Sequence, residues 1–474
     1  MPLAPTHNQA EASEWKDAND IFLVSDLHMA DGRVAPFGKF TQGENFFRDE
    51  SFNRLLDTLG REKSRSKTLV VNGDFFDFLR VNRVPDRKNA TDSSLVDRWR
   101  SFLELIGHPA AKSDLYAADP SECDYGFKTN DYKSVWRLLL IFEGHPIFFA
   151  GLRAFVTGGG NRLMILKGNH DLELFWEPVR QAFIYLLAGE NVLAYDRFNE
   201  RITFYQKSVV VNAQMYIEHG HLFEDITHTD RDTLAGNPSE LALPVGSLFN
   251  RYVINKLEEI NPLFDNIKPP TSILEAVATH YPGKLYKIIF HHLEGAWRIV
   301  RKQQYWYAAK IVGKVVSIAL PLLAFVVVGV VVYHWLQDAI ASATVKSILS
   351  AVASFLASLV VSLARQYLFS GGEAASLLVN AQHVYTANPA LKLITFGHTH
   401  TSEMSSAGED CWYVNSGTWI PTIDLDSNTV EDTNTFCVLR VINDKGQLRR
   451  EPLLRWDDER GDLAPLIFFE TSAG

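Results

Sequence analysis

The chain has 474 residues, 46% of them hydrophobic and 22% charged, and a formal net charge of −10. That balance suits a folded protein with a large core and two or three domains, and it excludes a fibrous or wholly disordered chain. An acidic chain with a pI near 5.9 lacks the basic footprint of a general nucleic-acid binder, so no nucleic-acid partner is expected.

Residues 1–19 read as a flexible tail. They are polar, carry Glu11, Glu14 and Asp17, and lack the basic start and apolar stretch of a cleaved secretory signal. Short apolar, β-prone runs follow at 21–24, 68–71, 163–166, 208–211, 215–217 and 391–396. Runs of this length without strict alternation suit strands buried on both faces. Helical stretches at 52–59 and 136–156 lie between them, which makes the fold class α/β. Residues 412–414, 436–441 and 466–469 read as closing strands. Cys123, Cys411 and Cys437 are far apart and form no metal-type or redox-type pair, which points to a reducing compartment.

Residues 241–384 depart from this pattern and read as a helical insertion that divides one α/β domain into 20–240 and 385–474. Within it, residues 315–337 carry no Lys, Arg, Asp or Glu, and as a helix would span roughly 34 Å, enough to cross a bilayer. A second uncharged run, 347–364, would span roughly 27 Å. Its serines at 347, 350, 354, 358 and 362 share one helical face, where small residues let a neighbouring helix approach closely. The pair reads as a transmembrane hairpin; the bland alternative is two buried core helices. Arg298, Arg301, Lys302, Lys310 and Lys314 precede the first run, Arg365 follows the second, and the connecting loop holds only Asp338 and Lys346. The positive-inside rule then places both ends, and with them the α/β domain, on the cytoplasmic face of a membrane crossed twice. Residues 247–310, with Tyr305, Trp306 and Tyr307 at their end, suit amphipathic helices on the membrane surface or against the α/β domain.

Five fragments carry the chemistry, each directly after an apolar run. They are Asp26-Leu27-His28, Gly73-Asp74-Phe75-Phe76-Asp77, Gly168-Asn169-His170-Asp171, His219-Gly220-His221 and Gly397-His398-Thr399-His400. Asp26 and His28, two apart on an extended strand end, point to one side and can reach one ion. Carboxylate oxygens, the Asn169 carbonyl and several imidazoles form a mixed donor set that suits Mn²⁺, Fe or Zn²⁺ better than Ca²⁺. Two adjacent metals are a common device for cleaving phosphate esters. Arg80, Arg83 and Arg87 follow the second fragment, as phosphate binders or as a solvated basic loop. His108 and His145 show no partner pattern and receive no role.

The ordered set resembles the calcineurin-like metallophosphoesterase superfamily over residues 21–225 and 390–425. The resemblance implies a β-sandwich flanked by helices and two metal ions. One would be held by Asp26, His28, Asp74 and His400, the other by Asp74, Asn169, His219 and His398, with Asp74 bridging. His170 would contact the substrate phosphate and protonate the leaving group, Asp171 would orient it, and Asp77 would be a supporting hydrogen bonder. Gly-Asp-Phe-Phe-Asp-Phe, Gly-His-Thr-His and Asn415-Ser416-Gly417-Thr418-Trp419 are most similar to the UDP-2,3-diacylglucosamine pyrophosphatases. The chain departs from that branch at His170, where Arg is usual, at His221, where Asp is usual, and in its longer insertion. The resemblance therefore implies a hydrolase for a lipid-linked phosphoester or diphosphate. The alternatives are a soluble substrate such as a nucleotide, or an inactive scaffold.

Overall fold

The computed structural model describes residues 19–34, 38–61, 65–87, 90–117, 120–224, 226–255, 377–424, 429–431 and 435–466. It also describes Leu3, Ala12, Ser13, Trp15 and the short strand Ile267–Lys268. Residues Met1–Ile267 and Ser376–Gly474 form one compact unit, separate from Lys268–Ala375. The two apolar runs expected to form a membrane hairpin lie outside the described residues.

Along the chain, β1 (Ala12–Ser13) and β2 (Asn19–Val24) precede α1 (Asp49–Arg61), and β3 (Ser66–Asn72) precedes α2 (Ala90–Leu105), α3 (Asp131–Gly144) and α4 (Pro146–Thr157). Next come β4 (Arg162–Leu166), α5 (Glu177–Leu187), α6 (Val192–Asn199), β5 (Ile202–Tyr205), β6 (Ser208–Val211) and β7 (Met215–Glu218). Beyond the insertion lie α7 (Leu378–Ala387), β8 (Leu393–Phe396), β9 (Ser402–Ser406), β10 (Trp412–Ser416), β11 (Cys437–Asp444), β12 (Gln447–Asp457) and β13 (Asp462–Pro465).

Two sheets result. The first runs β13-β12-β11-β2-β3-β4-β5, with β2 to β5 parallel and the last three strands of the chain added antiparallel. The second runs β1-β6-β7-β8-β10-β9, with β7, β8 and β10 parallel at its centre. Alternation along the strands sets the layers. Ile21, Leu23, Val70, Met164 and Leu166 of the first sheet meet Val209, Met215, Ile217, Leu393 and Val414 of the second in one buried cluster. Phe22, Val24, Leu69, Val71, Leu163 and Ile165 point the other way, into a larger core with α1 to α6. Ile394, Phe396 and Tyr413 leave the second sheet's outer face and pack with Leu377 and Ala381 at α7. This unit is thus a mixed α/β fold of two packed sheets flanked by helices.

α1 shows how sequence sets one such layer. Phe52, Leu55, Leu56 and Leu59 recur at helical spacing and are buried, while Asp49 and Glu50 in the first turn and Arg61 in the last complement the helix dipole. Phe183 of α5 lies at the centre of the helix-side core, its ring centroid 5.7–6.1 Å from those of Phe75, Phe76, Phe142 and Phe204. Phe75 and Phe76 directly follow Asp74, so this aromatic packing supports a ligand-bearing loop. Phe183→Ala is expected to cost about 3–5 kcal/mol of stability, read as a lowered urea midpoint; a change under about 1 kcal/mol would refute this packing.

One expectation is corrected. The helix expected at 136–156 is two helices, α3 and α4, bent by 94°. Pro146 cannot donate a backbone hydrogen bond and its ring clashes with a preceding turn. Among the described residues no single helix is long and apolar enough to cross a membrane. Within the expected loose tail, Ala12 and Ser13 pair with Val210 and Val211, and Trp15 N donates to Asn212 Oδ1 at 2.6 Å. A strand forms at β13, and Leu466 N donates to Leu453 O at 2.8 Å; the rest of the closing strand expected at 466–469 lies outside the described residues. Residues 241–255 and α7, which runs across the expected insertion boundary at 384, belong to the same compact unit as the sheets.

Candidate metal centre

The carboxyl ends of the parallel strands from both sheets converge, as expected for sites in open α/β sheets. Beyond β2 and β3 the loops remain joined: Leu27 N and His28 N both donate to Asp74 O at 2.9 Å. Within the second sheet, Gly397 N donates to His219 O at 2.8 Å, and across the sheets His398 N reaches both oxygens of Asp26 at 3.1 Å. The segment after β10 closes the underside, with Ser25 Oγ 2.7 Å from Ser416 Oγ and Thr418 Oγ1 donating to Asp26 O at 2.7 Å.

The backbone here adopts uncommon conformations. Asp26, His28, Asp74, His398 and His400 all have φ between 48° and 68°, in the left-handed region that side chains other than glycine seldom occupy. Tertiary bonds hold this strain, a pattern associated with functional sites. Gly73, at φ +79°, is held to glycine also by space, since a Cβ there would collide with the His219 ring. A Cβ at Gly397 would come within 2.5 Å of Asp26 Oδ2.

Among the described residues, three groups of side-chain atoms are each close enough to hold an ion: Asp26, His28 and His400; Asp74, His219 and His398; and His28, Asp77 and His170. His400 Nε2 lies 2.9 Å from His28 Nε2 and 3.4 Å from Asp26 Oδ1. Asp74 Oδ2 lies 3.7 Å from His28 Nε2 and 2.9 Å from His219 Nε2, so one carboxylate reaches both of the first two groups. His219 Nδ1 donates to Asn72 O at 2.8 Å, which turns Nε2 toward Asp74. Asn169 is buried, and its Oδ1 has no hydrogen-bond partner among the described residues. A buried acceptor left without a donor is costly, and a cation would satisfy it. The donor set therefore fits metal binding: buried Asp and His groups that could hold a metal ion.

The charges agree with the geometry. Burial alone would raise the Asp74 carboxyl, but His219, His170 and His28 outweigh it and hold it well below its ordinary range. Burial would lower the His28 and His219 imidazoles. Asp26, Asp77 and Asp74 instead raise His28 to about 10, and Asp74 and Asp26 raise His219 to about 9. So much buried carboxylate charge must be balanced by protons on these rings or by cations in their place.

The expected partner of His170 is corrected. Asp171 places its carboxylate on backbone, accepting from Phe75 N at 2.9 Å and Gly168 N at 2.6 Å, and so joins two ligand loops. It is Asp77 that meets His170, with Oδ2 2.8 Å from Nδ1. Burial and repulsion from Asp74 push the Asp171 carboxyl up to about 7. Arg80 and Arg83, expected as phosphate binders, both lie against carboxylates. Arg80 is buried, its Nε 3.0 Å from Asp77 Oδ2, and Arg83 is paired with Asp92. Arg87 stacks over the Tyr116 ring at 4.6 Å.

Sequence reading missed other contributors. Glu224 Oε2 lies 3.0 Å from His398 Nε2. Ser247 Oγ donates to Asn169 O at 3.3 Å, and Asn250 Nδ2 lies 3.5 Å from His170 Nδ1. None stands in a motif, and only the fold brings them near. Comparison of the chain with family models, with curated proteins and with solved structures finds no match to any of them.

Proposed function

We propose that the chain is a metallophosphoesterase of the calcineurin-like type, a hydrolase that cleaves a phosphoester or diphosphate bond at a pair of divalent ions. The observation that carries the reading is that strand ends from two sheets bring two ligand groups together with Asp74 within reach of both. Asp26, His28 and His400 would hold one ion, and Asn169, His219 and His398 the other, with Asp74 shared. Mn²⁺ suits this oxygen and imidazole set, as do Fe and Zn²⁺. Such ions, when bound, neutralise the anionic oxygens of a phosphoester and lower the pKa of a water molecule.

The protein's own groups complete the chemistry. His170, fixed through Nδ1 by Asp77, keeps Nε2 to hold a phosphate oxygen or deliver a proton to the leaving oxygen. Its ring is partly exposed, so a substrate can reach it. The apolar runs at 315–337 and 347–364 favour an amphiphilic, lipid-linked substrate at the cytoplasmic face of a membrane, with the inserted hairpin as anchor.

The test is hydrolysis of bis-p-nitrophenyl phosphate with MnCl₂, beside a panel of lipid phosphates and diphosphates in detergent. Activity on the soluble diester and on at least one amphiphile is expected. Activity on no amphiphile would leave a hydrolase of soluble substrates, and no turnover with ions bound would leave a scaffold. His170→Ala is expected to lower turnover about 10²–10⁴-fold while ion stoichiometry is retained; unchanged turnover would remove His170 from the reaction.

A further inference from the structure

We propose that Glu224 is a positioning residue for the second ion site: it engages His398 Nε2 and so leaves Nδ1 as the nitrogen that faces the cation. The inference rests on the paired-ion reading above and names a component of it that lies outside every motif in the chain.

The geometry of one short segment carries it. His219, itself in the second ligand group, is followed by Gly220 at φ +114°, which turns the chain sharply. The 3₁₀ turn His221–Phe223 follows and sets Glu224 at its end. Thr227 secures that turn: its Oγ1 donates to His221 O at 3.0 Å, and its N donates to Glu224 O at 3.2 Å. Glu224 Oε2 then meets His398 Nε2 at 3.0 Å. The His398 side chain is 9% exposed, its ring lies 5.3 Å from that of His219, and its backbone N is already committed to Asp26.

An imidazole has two nitrogens, and the partner of one decides what the other can do. A carboxylate at Nε2 accepts a proton from it, so the lone pair remains on Nδ1. It also fixes the ring plane and makes the free nitrogen more basic toward a cation. Such outer partners typically contribute 10–100-fold to metal affinity. Here the effect also spans the insertion, since Glu224 precedes it and His398 follows it. One hydrogen bond ties the ligand supplied late in the chain to the segment that supplies His219.

The experiment is calorimetric titration of the full chain, stripped of metal, with MnCl₂, comparing wild type, Glu224→Ala and Glu224→Gln, with melting temperatures measured in chelator. Wild type is expected to bind two ions. In Glu224→Ala one of the two should bind about 10–100-fold more weakly, with the other constant and the chelator-state melting temperature unchanged. Glu224→Gln keeps an acceptor oxygen and should stay within a few-fold of wild type. Two ions bound by Glu224→Ala with wild-type constants would overturn the inference alone. So would Glu224→Gln losing as much as Glu224→Ala, because Glu224 would then be a ligand, and so would a matching fall in chelator-state melting temperature. A wild-type chain that binds no second ion would overturn the paired centre and this inference with it.

Discussion

Asp74→Asn is expected to leave the protein folded yet unable to hold either ion firmly. The amide oxygen can still accept from His170 N, as Asp74 Oδ1 does at 2.8 Å, so the loop after β3 keeps its bond to the loop after β4. What disappears is the charge that both ligand groups share, since Asp74 Oδ2 faces His28 on one side and His219 on the other. Loss of a direct, shared carboxylate should exceed the 10–100-fold typical of an outer partner. Affinity for each ion should fall by at least about 100-fold, with Mn²⁺-dependent hydrolysis at background. The measurements are MnCl₂ titration and turnover of bis-p-nitrophenyl phosphate. Loss of one ion with full retention of the other would show that Asp74 serves one site only.

The second large effect concerns stability. His145 is fully buried, with Nδ1 2.8 Å from Asp49 Oδ1 and Nε2 3.0 Å from Glu44 Oε2. Glu44 also accepts from Ala30 N at 3.0 Å and Gly32 N at 2.7 Å, in the loop that continues from His28, and from Phe46 N at 2.6 Å. Removing the ring strands two buried carboxylates, so His145→Ala should cost roughly 3–5 kcal/mol. Burial pulls the imidazole pKa down, but Glu44 and Asp49 raise it to about 10 from an ordinary 6.5. A raised pKa stabilises the fold fully below pH 6.5, and that contribution is lost as pH climbs through about 10. Urea unfolding at pH 6, 8 and 10 should therefore show wild type losing its advantage over His145→Gln as pH rises. A gap that widens with pH would contradict a charged His145.

Both cases show what the sequence made visible and what it hid. β2, β3, β4 and β8 are apolar on both faces because helices or the other sheet cover each side, so they stand out as continuous runs. β9, with the sequence Ser-Glu-Met-Ser-Ser, and β12, half of it polar, are held by pairing to a neighbour rather than by burial, and a polar strand has no such signature. β5 is short and follows directly on α6, which masks it.

The Asp and His residues that could hold a metal ion stood out in the sequence because each lies next to a strand end. Their partners were not, because partners come from afar. Asp171 is adjacent to His170 in sequence, yet neighbouring side chains diverge, and Asp77 from another strand end takes the place beside the ring. The Pro146 kink had a visible signal in the proline itself. His145, given no role, acquires one only when Glu44 and Asp49 are folded against it.

The strand order has a consequence for how the molecule must be made. β8 sits between β7 and β10 in the second sheet, and β11 covers β2 in the first. Until the C-terminal third has left the ribosome, β2 and β7 therefore offer bare apolar edges, ready to pair with another chain. Between Glu218, where β7 ends, and Leu393, where β8 begins, 174 residues must be synthesised. A nascent or truncated chain thus carries its hazard long before His398 and His400 exist, and a chaperone that shields strand edges would matter most during that interval.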